Sequence, residues 1–248
     1  MREKNIMKVL ALIGVALATS PVSAQTEEPS LIINTEHYPP YSVEGGLGYE
    51  DLLAKEVFSR IGKKIILNFL PSARTIENVN NGIDDGMLAR VGGMAENYPN
   101  LVQFEESALI RDYVAFTKMK DITINGWNDL QPYSVGIIRG WKLLEKNITG
   151  GKPVLKVKTG EQLFSLLQKN RIEVVVFAKL SGLYILKKKN WHDIHVVAPP
   201  LARRQSYFYM NKKHRDLIGP ASAALRQIKA DGTYQKIYTL VVAPLFAR

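Results

Sequence analysis

The sequence predicts an α/β protein made of two lobes that two extended strands connect. Short apolar runs alternate with segments in which apolar residues recur every three or four positions, as expected for strands followed by helices. This alternation occurs twice along the 248 residues, and an extended apolar segment lies on each side of its second occurrence. Parallel sheets covered by helices have this pattern.

The first unit has the periodicity of three strands and two helices. Leu52, Leu53, Val57, Phe58 and Ile61 have helical spacing, and the glycine that follows ends the helix. The expected elements are a strand at 31–33, a helix over 48–61, a strand at 65–67, a helix ending at 81–82 and a strand at 86–88.

The second unit begins near Asp121 and repeats this order. Its expected elements are strands at 133–138, 154–157 and 174–177 and helices from 142, over 160–169 and over 181–188, followed by a final helix that Asp231-Gly232 interrupts. Two further segments, 114–116 and 207–209, flank the unit and are predicted to form two antiparallel hinge strands.

The N-terminus has the pattern of a secretory signal peptide. A basic start is followed by the apolar run 9–18, by Pro21, and by small residues ending at Ala24. The run is too short to span a bilayer as a helix. We therefore expect residues 1–24 to be removed and the product, which has no cysteine to carry a lipid, to enter a bacterial periplasm.

Composition excludes several classes of site. The chain contains no cysteine, and its four histidines form no HExxH pair, so we expect no metal and no cofactor. The net charge is +10, and removal of residues 1–24 leaves 30 basic and 22 acidic residues. No nucleic-acid-binding motif accompanies this charge, so we expect solvated surface with a bias toward anionic ligands, and a monomer with no nucleic-acid partner.

Several motifs in order resemble one family, the periplasmic solute-binding proteins of the polar amino-acid type (extracellular solute-binding family 3, type II periplasmic-binding fold). Each motif alone is weak, but together they cover nearly the whole chain after the leader. They are Tyr38-Pro39-Pro40-Tyr41-Ser42, Gly48-Tyr49-Glu50-Asp51-Leu52-Leu53, Gly82-Ile83-Asp84-Asp85-Gly86, Asp129 to Gly136 with Arg139-Gly140, and Ala224-Leu225 through Lys229 to Tyr234.

The resemblance implies a two-lobed fold with a ligand cleft. One lobe would hold residues 26–116 and 206–248, and the other would hold residues 117–205. Closure of the cleft on a small polar solute, amino-acid-like or an organic anion, would present a shape for a membrane permease to recognise. The chain has no permease or nucleotide-binding segment, so an inner-membrane ABC permease is the expected partner.

Three residues are ligand-binding candidates in the first lobe. Tyr38 follows the first strand, where the family places an aromatic ring over the ligand; its alternative role is packing against the adjacent prolines. Arg90 follows the third strand, at the sheet edge where ligands bind, and could hold a carboxylate with two hydrogen bonds. Arg74 begins a helix near the expected cleft mouth, although a solvated arginine explains it nearly as well.

Two more candidates end the first strand of the second lobe. Arg139 precedes a helix start that would suit an anionic ligand group, and Trp141 would close the cleft or serve as a buried cap. Thr159 is expected to be a helix N-cap with Gln162 rather than a ligand contact.

The chain also departs from the family pattern. Asn97 lies where amino-acid binders carry the arginine that grips the ligand carboxylate, and Ala178-Lys179 lie where they carry the aspartate that holds the ammonium. We therefore expect neutral or anionic solutes to bind better than standard L-amino acids, unless Glu36 or Glu50 replaces the missing aspartate.

Two other functions remain open from the sequence. Some proteins of this fold are periplasmic dehydratases, and adjacent Glu36 and His37 could form an acid–base pair, although neighbours on an extended strand point apart. A ligand-sensing module for a signalling partner is the other alternative. The expectation is a binding protein without catalytic residues.

Overall fold

The computed structural model describes residues 29–246, so the predicted signal peptide lies outside the described residues. The strands are β1 (Leu31–Thr35), β2 (Ile65–Phe69), β3 (Gly86–Val91), β4 (Leu101–Gln103), β5 (Leu109–Thr117), β6 (Val135–Ile138), β7 (Val154–Val157), β8 (Val174–Ala178) and β9 (His195–Asn211). The α-helices are α1 (Tyr49–Arg60), α2 (Ser72–Asn80), α3 (Lys142–Asn147), α4 (Gly160–Gln168), α5 (Lys179–Lys189), α6 (Arg215–Ala230) and α7 (Thr233–Val241).

The strands form one curled sheet in the order β2-β1-β3-β9-β5-β8-β6-β7, and β4 pairs with β9. Strands β1, β2 and β3 are parallel, as are β6, β7 and β8. We call the part built on β1–β4 with α1, α2, α6 and α7 the first lobe, and the part built on β6–β8 with α3–α5 the second lobe. The two α/β units predicted from periodicity are confirmed.

Two antiparallel strands connect the lobes, as predicted, but their pairing differs from the expected one. Strand β5 pairs with β9 from Leu109 opposite Ser206 to Thr117 opposite His195. Segment 114–116 therefore lies beside the start of β9, whereas segment 207–209 pairs with β3 and β4. The difference arises because β9 is 17 residues long and crosses between the lobes. The lobe boundaries stay a prediction, and they fall inside β5 and β9.

Each lobe has its own apolar core. In the first lobe, Leu53 and Val57 on α1 pack in one cluster with Leu225 and Ile228 on α6. In the second lobe, the clusters lie on the two faces of β8 and include Phe164 from α4. Separate cores allow each lobe to behave as a unit about the two connecting strands.

The interrupted final helix is two helices. Helix α6 ends at Ala230, and α7 begins at Thr233, after Gly232 in the left-handed region with φ +84°. Glycine adopts this conformation without the steric cost of a Cβ atom. Within residues 29–246, none of the helices is long and apolar enough to cross a membrane.

Candidate functional site

A cleft of about 280 Å³ lies where the two lobes and β5 meet. The first lobe, β5 and the second lobe all contribute side chains, so movement of one lobe against the other changes its shape. The lining residues are Glu36, Tyr38, Val91, Arg111, Tyr113, Trp141, Lys142 and Leu143.

Tyr38 is held in the cleft by the turn that connects β1 to α1. The backbone of Tyr38 bonds to Ser42, and the Asp51 carboxylate accepts bonds from the Ser42 hydroxyl and from the backbone N–H of Gly48. A Cβ atom at Gly48 would lie 2.3 Å from the carbonyl oxygen of Tyr41, so this close approach needs glycine. The Tyr38 ring stacks on Tyr41 with centroids 5.5 Å apart. This turn thereby fixes one aromatic wall of the cleft.

Arg111 lies at the base of the cleft and pairs with Glu50 on α1. Its Nη2 atom donates to Glu50 Oε1, and its guanidinium carbon lies 4.8 Å from the Tyr41 ring centroid. The Glu50 side chain is only 4% exposed. Burial is the largest single influence and acts to lower the pKa of Arg111, but the Glu50 carboxylate together with Tyr41 and Tyr38 outweighs it and raises the pKa. Burial raises the pKa of Glu50, and the Arg111 charge opposes that rise without cancelling it.

Arg90, at the end of β3, pairs with Glu36. The Nη1 atom donates to Glu36 Oε1 over 2.7 Å, and the two side chains are 13% and 36% exposed. The Nε and Nη2 atoms of Arg90 are buried without a hydrogen-bond partner among the described residues. The Arg90 guanidinium thus lies directly behind a cleft carboxylate with two donors still free.

Trp141 forms the second aromatic wall, from the start of α3. Its ring stacks on Phe177 with centroids 4.9 Å apart and meets the edges of Tyr38 and Tyr113 at 6.3 and 5.8 Å. The Tyr38 contact crosses from one lobe to the other. Trp141 therefore lines the cleft; it also occupies the N-cap position of α3, but it is only partly buried and its side chain makes no cap hydrogen bond, so it is not the buried cap of the alternative.

The other two arginine candidates lie outside this cleft. Arg74 is exposed on α2 and is not among the lining residues. Arg139 is exposed and lines a separate groove on the second lobe. A carboxylate of the protein already occupies the place that was expected for an anionic ligand group, because the Gly140 N–H donates to Glu145 Oε1 over 3.1 Å. Tyr38 and Trp141 thus line the cleft, and Arg90 contacts it through Glu36 without lining it, whereas Arg74 and Arg139 lie elsewhere.

Three further residues or pairs considered from the sequence have defined positions in the structure. Thr159 accepts a hydrogen bond from the backbone of Gln162, which confirms its role as N-cap. Glu36 faces Arg90 while His37 is exposed, so the two do not form an acid–base pair here. Lys179 lies 5.7 Å from the Phe246 ring centroid and does not line the cleft.

The sequence did not single out Arg111 and Tyr113. The available signal was the charged pair Arg111-Asp112 close before the predicted hinge segment 114–116. Among residues 29–246, no group of three or more histidine, aspartate or glutamate side chains is placed to hold a metal ion.

Comparison with known proteins supports the fold. No model of a known protein family matches the chain. An uncharacterized protein of Shewanella oneidensis is 22% identical over 229 residues, which are 89% of this chain and 85% of that protein.

Three solved structures illustrate the similarity. The GluR0 ligand-binding core complexed with L-glutamate has a TM-score of 0.76, with 12% identity over 87% of this chain and 99% of that one. A histidine kinase sensor domain with similarity to periplasmic binding proteins has a TM-score of 0.70, with 17% identity over 86% and 96%. The substrate-binding protein of an amino acid ABC transporter has a TM-score of 0.66, with 19% identity over 86% and 99%. The chain therefore has the two-lobed periplasmic-binding-protein fold that was expected from its motifs.

Proposed function

We propose that this protein is a periplasmic solute-binding protein whose lobes close on a small polar solute that carries a carboxylate. The observation that carries the proposal is the cleft itself, since both lobes and the connecting strand β5 line it. A solute bound there contacts both lobes only when they approach each other, and its binding therefore favours the closed arrangement.

The charges near the cleft support a carboxylate-bearing solute. Two donor atoms of the Arg90 guanidinium, Nε and Nη2, are buried and have no partner in the part of the chain that the structure describes, and leaving such groups unpaired is costly. A solute carboxylate that displaces Glu36 would take over its bond from Nη1 and gain a second bond from the neighbouring Nη2, the two-bond geometry that arginine favours. Tyr38, Tyr113 and Trp141 then provide apolar surface for the rest of the solute.

Glu36 decides whether an ammonium group is also accepted. The expectation that amino acids bind poorly rested on the missing aspartate at Ala178. The Glu36 carboxylate is 36% exposed and lines the cleft, so it is positioned to replace that aspartate. An amino-acid-like zwitterion and a simple organic acid are therefore the two ligand classes to compare.

The proposed downstream step is delivery to an ABC permease. A structural neighbour described as the substrate-binding protein of an amino acid ABC transporter supports it. A sensing role is the second candidate, because another neighbour is a histidine kinase sensor domain. Uptake of the identified solute by cells that lack this protein separates the two: loss of uptake supports transport, whereas normal uptake with a lost transcriptional response supports sensing.

Binding is tested with protein that begins at Gln25. Thermal unfolding is screened against pairs of compounds that differ only in an ammonium group, such as L-glutamate with glutarate and L-norvaline with valerate. We expect at least one carboxylate compound to raise the unfolding temperature of the wild-type protein and of Arg226→Ala, an exposed control. We expect Arg90→Ala to lose that response. A response that Arg90→Ala retains would contradict the assignment of the site.

A further inference from the structure

The positive charge of the protein is concentrated in one lobe. Residues 117–205 contain 16 Lys and Arg residues against six Asp and Glu residues. The rest of the chain from Gln25 onward contains 14 Lys and Arg residues against 16 Asp and Glu residues. The first lobe is thus slightly acidic, and the second lobe accounts for the whole basic excess.

Ion pairs within the second lobe leave much of this charge unpaired. Glu145 contacts Lys142 and Lys156, and Glu161 contacts Lys188 and Lys189, so single carboxylates serve two cations each. Exposed cations with no carboxylate partner among the described residues remain on several elements of the lobe. They are Lys120, Arg139, Lys146, Lys158, Lys169 and Arg171.

Three of these cations converge on one open groove. Arg139, Lys158 and Lys169 line a groove of about 580 Å³ whose other lining residues include Val157 and Leu166. Within residues 29–246, no carboxylate lines this groove. Strand β7, the edge of the sheet, leads into it and carries Leu155, which is 42% exposed. We call this surface of β7 and the groove the basic face.

We propose that the basic face docks the second lobe on an anionic phospholipid bilayer. The positive field of clustered lysines attracts negatively charged lipid headgroups, and the exposed apolar residue among them is suited to the headgroup boundary. Because the first lobe carries no such excess, docking would orient the molecule and leave the first lobe free to move.

The composition of the charge favours a bilayer over an acidic protein. Twelve of the 16 basic residues in 117–205 are lysines. Lysine is a compact, strongly hydrated point charge, whereas arginine is the residue that recognises carboxylates with a fixed fork. The cations of the groove follow three different elements, β6, β7 and α4, so they produce a broad field over the basic face rather than one shaped site.

Vesicle co-sedimentation tests the proposal without any solute, so its outcome is independent of the cleft. Protein that begins at Gln25 retains every described element and is mixed with vesicles of phosphatidylcholine alone or of phosphatidylcholine with phosphatidylglycerol. We expect salt-sensitive binding only to vesicles that contain phosphatidylglycerol. Lys158→Glu with Lys169→Glu should weaken that binding by about tenfold or more, because each lysine near an anionic surface adds to the attraction and each glutamate opposes it.

A matched control distinguishes the contribution of the basic face to vesicle binding from that of the net charge of the protein. Lys212→Glu with Lys236→Glu makes the same change in charge on the first lobe, and we expect binding within about twofold of wild type. Equal losses in both double variants, or no vesicle binding at low salt, would overturn the proposal. Binding of poly-glutamate without vesicle binding would also overturn it and would identify an acidic protein as the partner class. Circular dichroism confirms that each variant is folded.

Discussion

Two arginine–glutamate pairs lie in the cleft region, with arginines buried to a similar extent and carboxylates that differ in exposure. Arg111–Glu50 connects β5 to α1, and its carboxylate is almost completely enclosed. Arg90–Glu36 has a carboxylate that is 36% exposed on the cleft wall. The enclosed pair fixes the connecting strand β5 against α1 of the first lobe, whereas the half-exposed pair, whose carboxylate lies on the cleft wall, is the one that we propose binds a ligand.

The largest expected effect is on stability, from breaking the enclosed pair. Arg111→Met removes the partner of a buried carboxylate, so the free energy of unfolding should fall by about 3–5 kcal/mol. Arg226→Met, on an exposed position of α6, should change it by less than about 0.5 kcal/mol. Urea unfolding measures both, and Arg111→Met with Glu50→Gln should recover part of the loss. Wild-type stability in Arg111→Met would show that this pair does not hold the fold.

Breaking the half-exposed pair should have the opposite result, with a large loss of ligand affinity and a small loss of stability. Arg90→Ala should lower the affinity for the solute by about tenfold to 100-fold, because a hydrogen bond to a charged group contributes about 1.5–3 kcal/mol. Its free energy of unfolding should change by about 1 kcal/mol or less, since a partly exposed ion pair contributes little. Calorimetry and urea unfolding of the same variant measure the two effects. A large stability loss with unchanged affinity would reverse the roles assigned to the two pairs.

A smaller effect is expected from a contact between the lobes. The Ser181 hydroxyl on α5 donates to the carbonyl oxygen of Pro39 over 2.7 Å, next to Tyr38. Ser181→Ala removes one hydrogen bond that forms only when the lobes are together, so the affinity should fall by about twofold to tenfold. Thr159→Ala, which removes a helix cap away from the cleft, should leave the affinity unchanged. An unchanged affinity in Ser181→Ala would show that this contact does not favour closure.

The smallest expected effect is on the pH dependence of the free energy of unfolding, through the enclosed pair. Burial raises the pKa of Glu50 in the folded protein above its ordinary value of 4.5. Between the two pKa values the folded state binds more protons than the unfolded state, so stability falls as pH rises through this range. The free energy of unfolding of wild type should therefore decrease relative to Glu50→Gln as the pH is raised from 4.5. A relative increase would mean that Arg111 lowers the pKa of Glu50 below 4.5.

The fold could be predicted from the sequence much further than the cleft could. The recurring apolar residues of helix α1 and the apolar run of strand β8 are local patterns. Each can be recognised within one short stretch of the chain. The Arg111–Glu50 pair joins residues 61 positions apart, and only the placement of β5 against α1 brings them together. No local pattern encodes that placement.

Arg90 and Arg139 show the same limit. Arg90 is the last residue but one of β3 and Arg139 directly follows β6, and the rule that ligands bind at strand ends selects both equally. The structure separates them because β3 ends beside Glu36 near the cleft, whereas Arg139, after β6, is exposed beside the β7 backbone, where its Nη2 atom lies 3.4 Å from the Lys156 carbonyl oxygen. Position in the sequence thus indicated that ligands bind near the ends of these strands. It did not indicate which of the two strand ends faces the cleft between the lobes.

Calorimetric titration of the matched acid and amino-acid pairs into wild type, Arg90→Ala and Arg226→Ala tests the central claim most directly. A carboxylate solute should bind wild type and Arg226→Ala with the same affinity and bind Arg90→Ala at least about tenfold more weakly. Equal affinity of that solute for all three proteins would contradict the claim that the half-exposed pair recognises it.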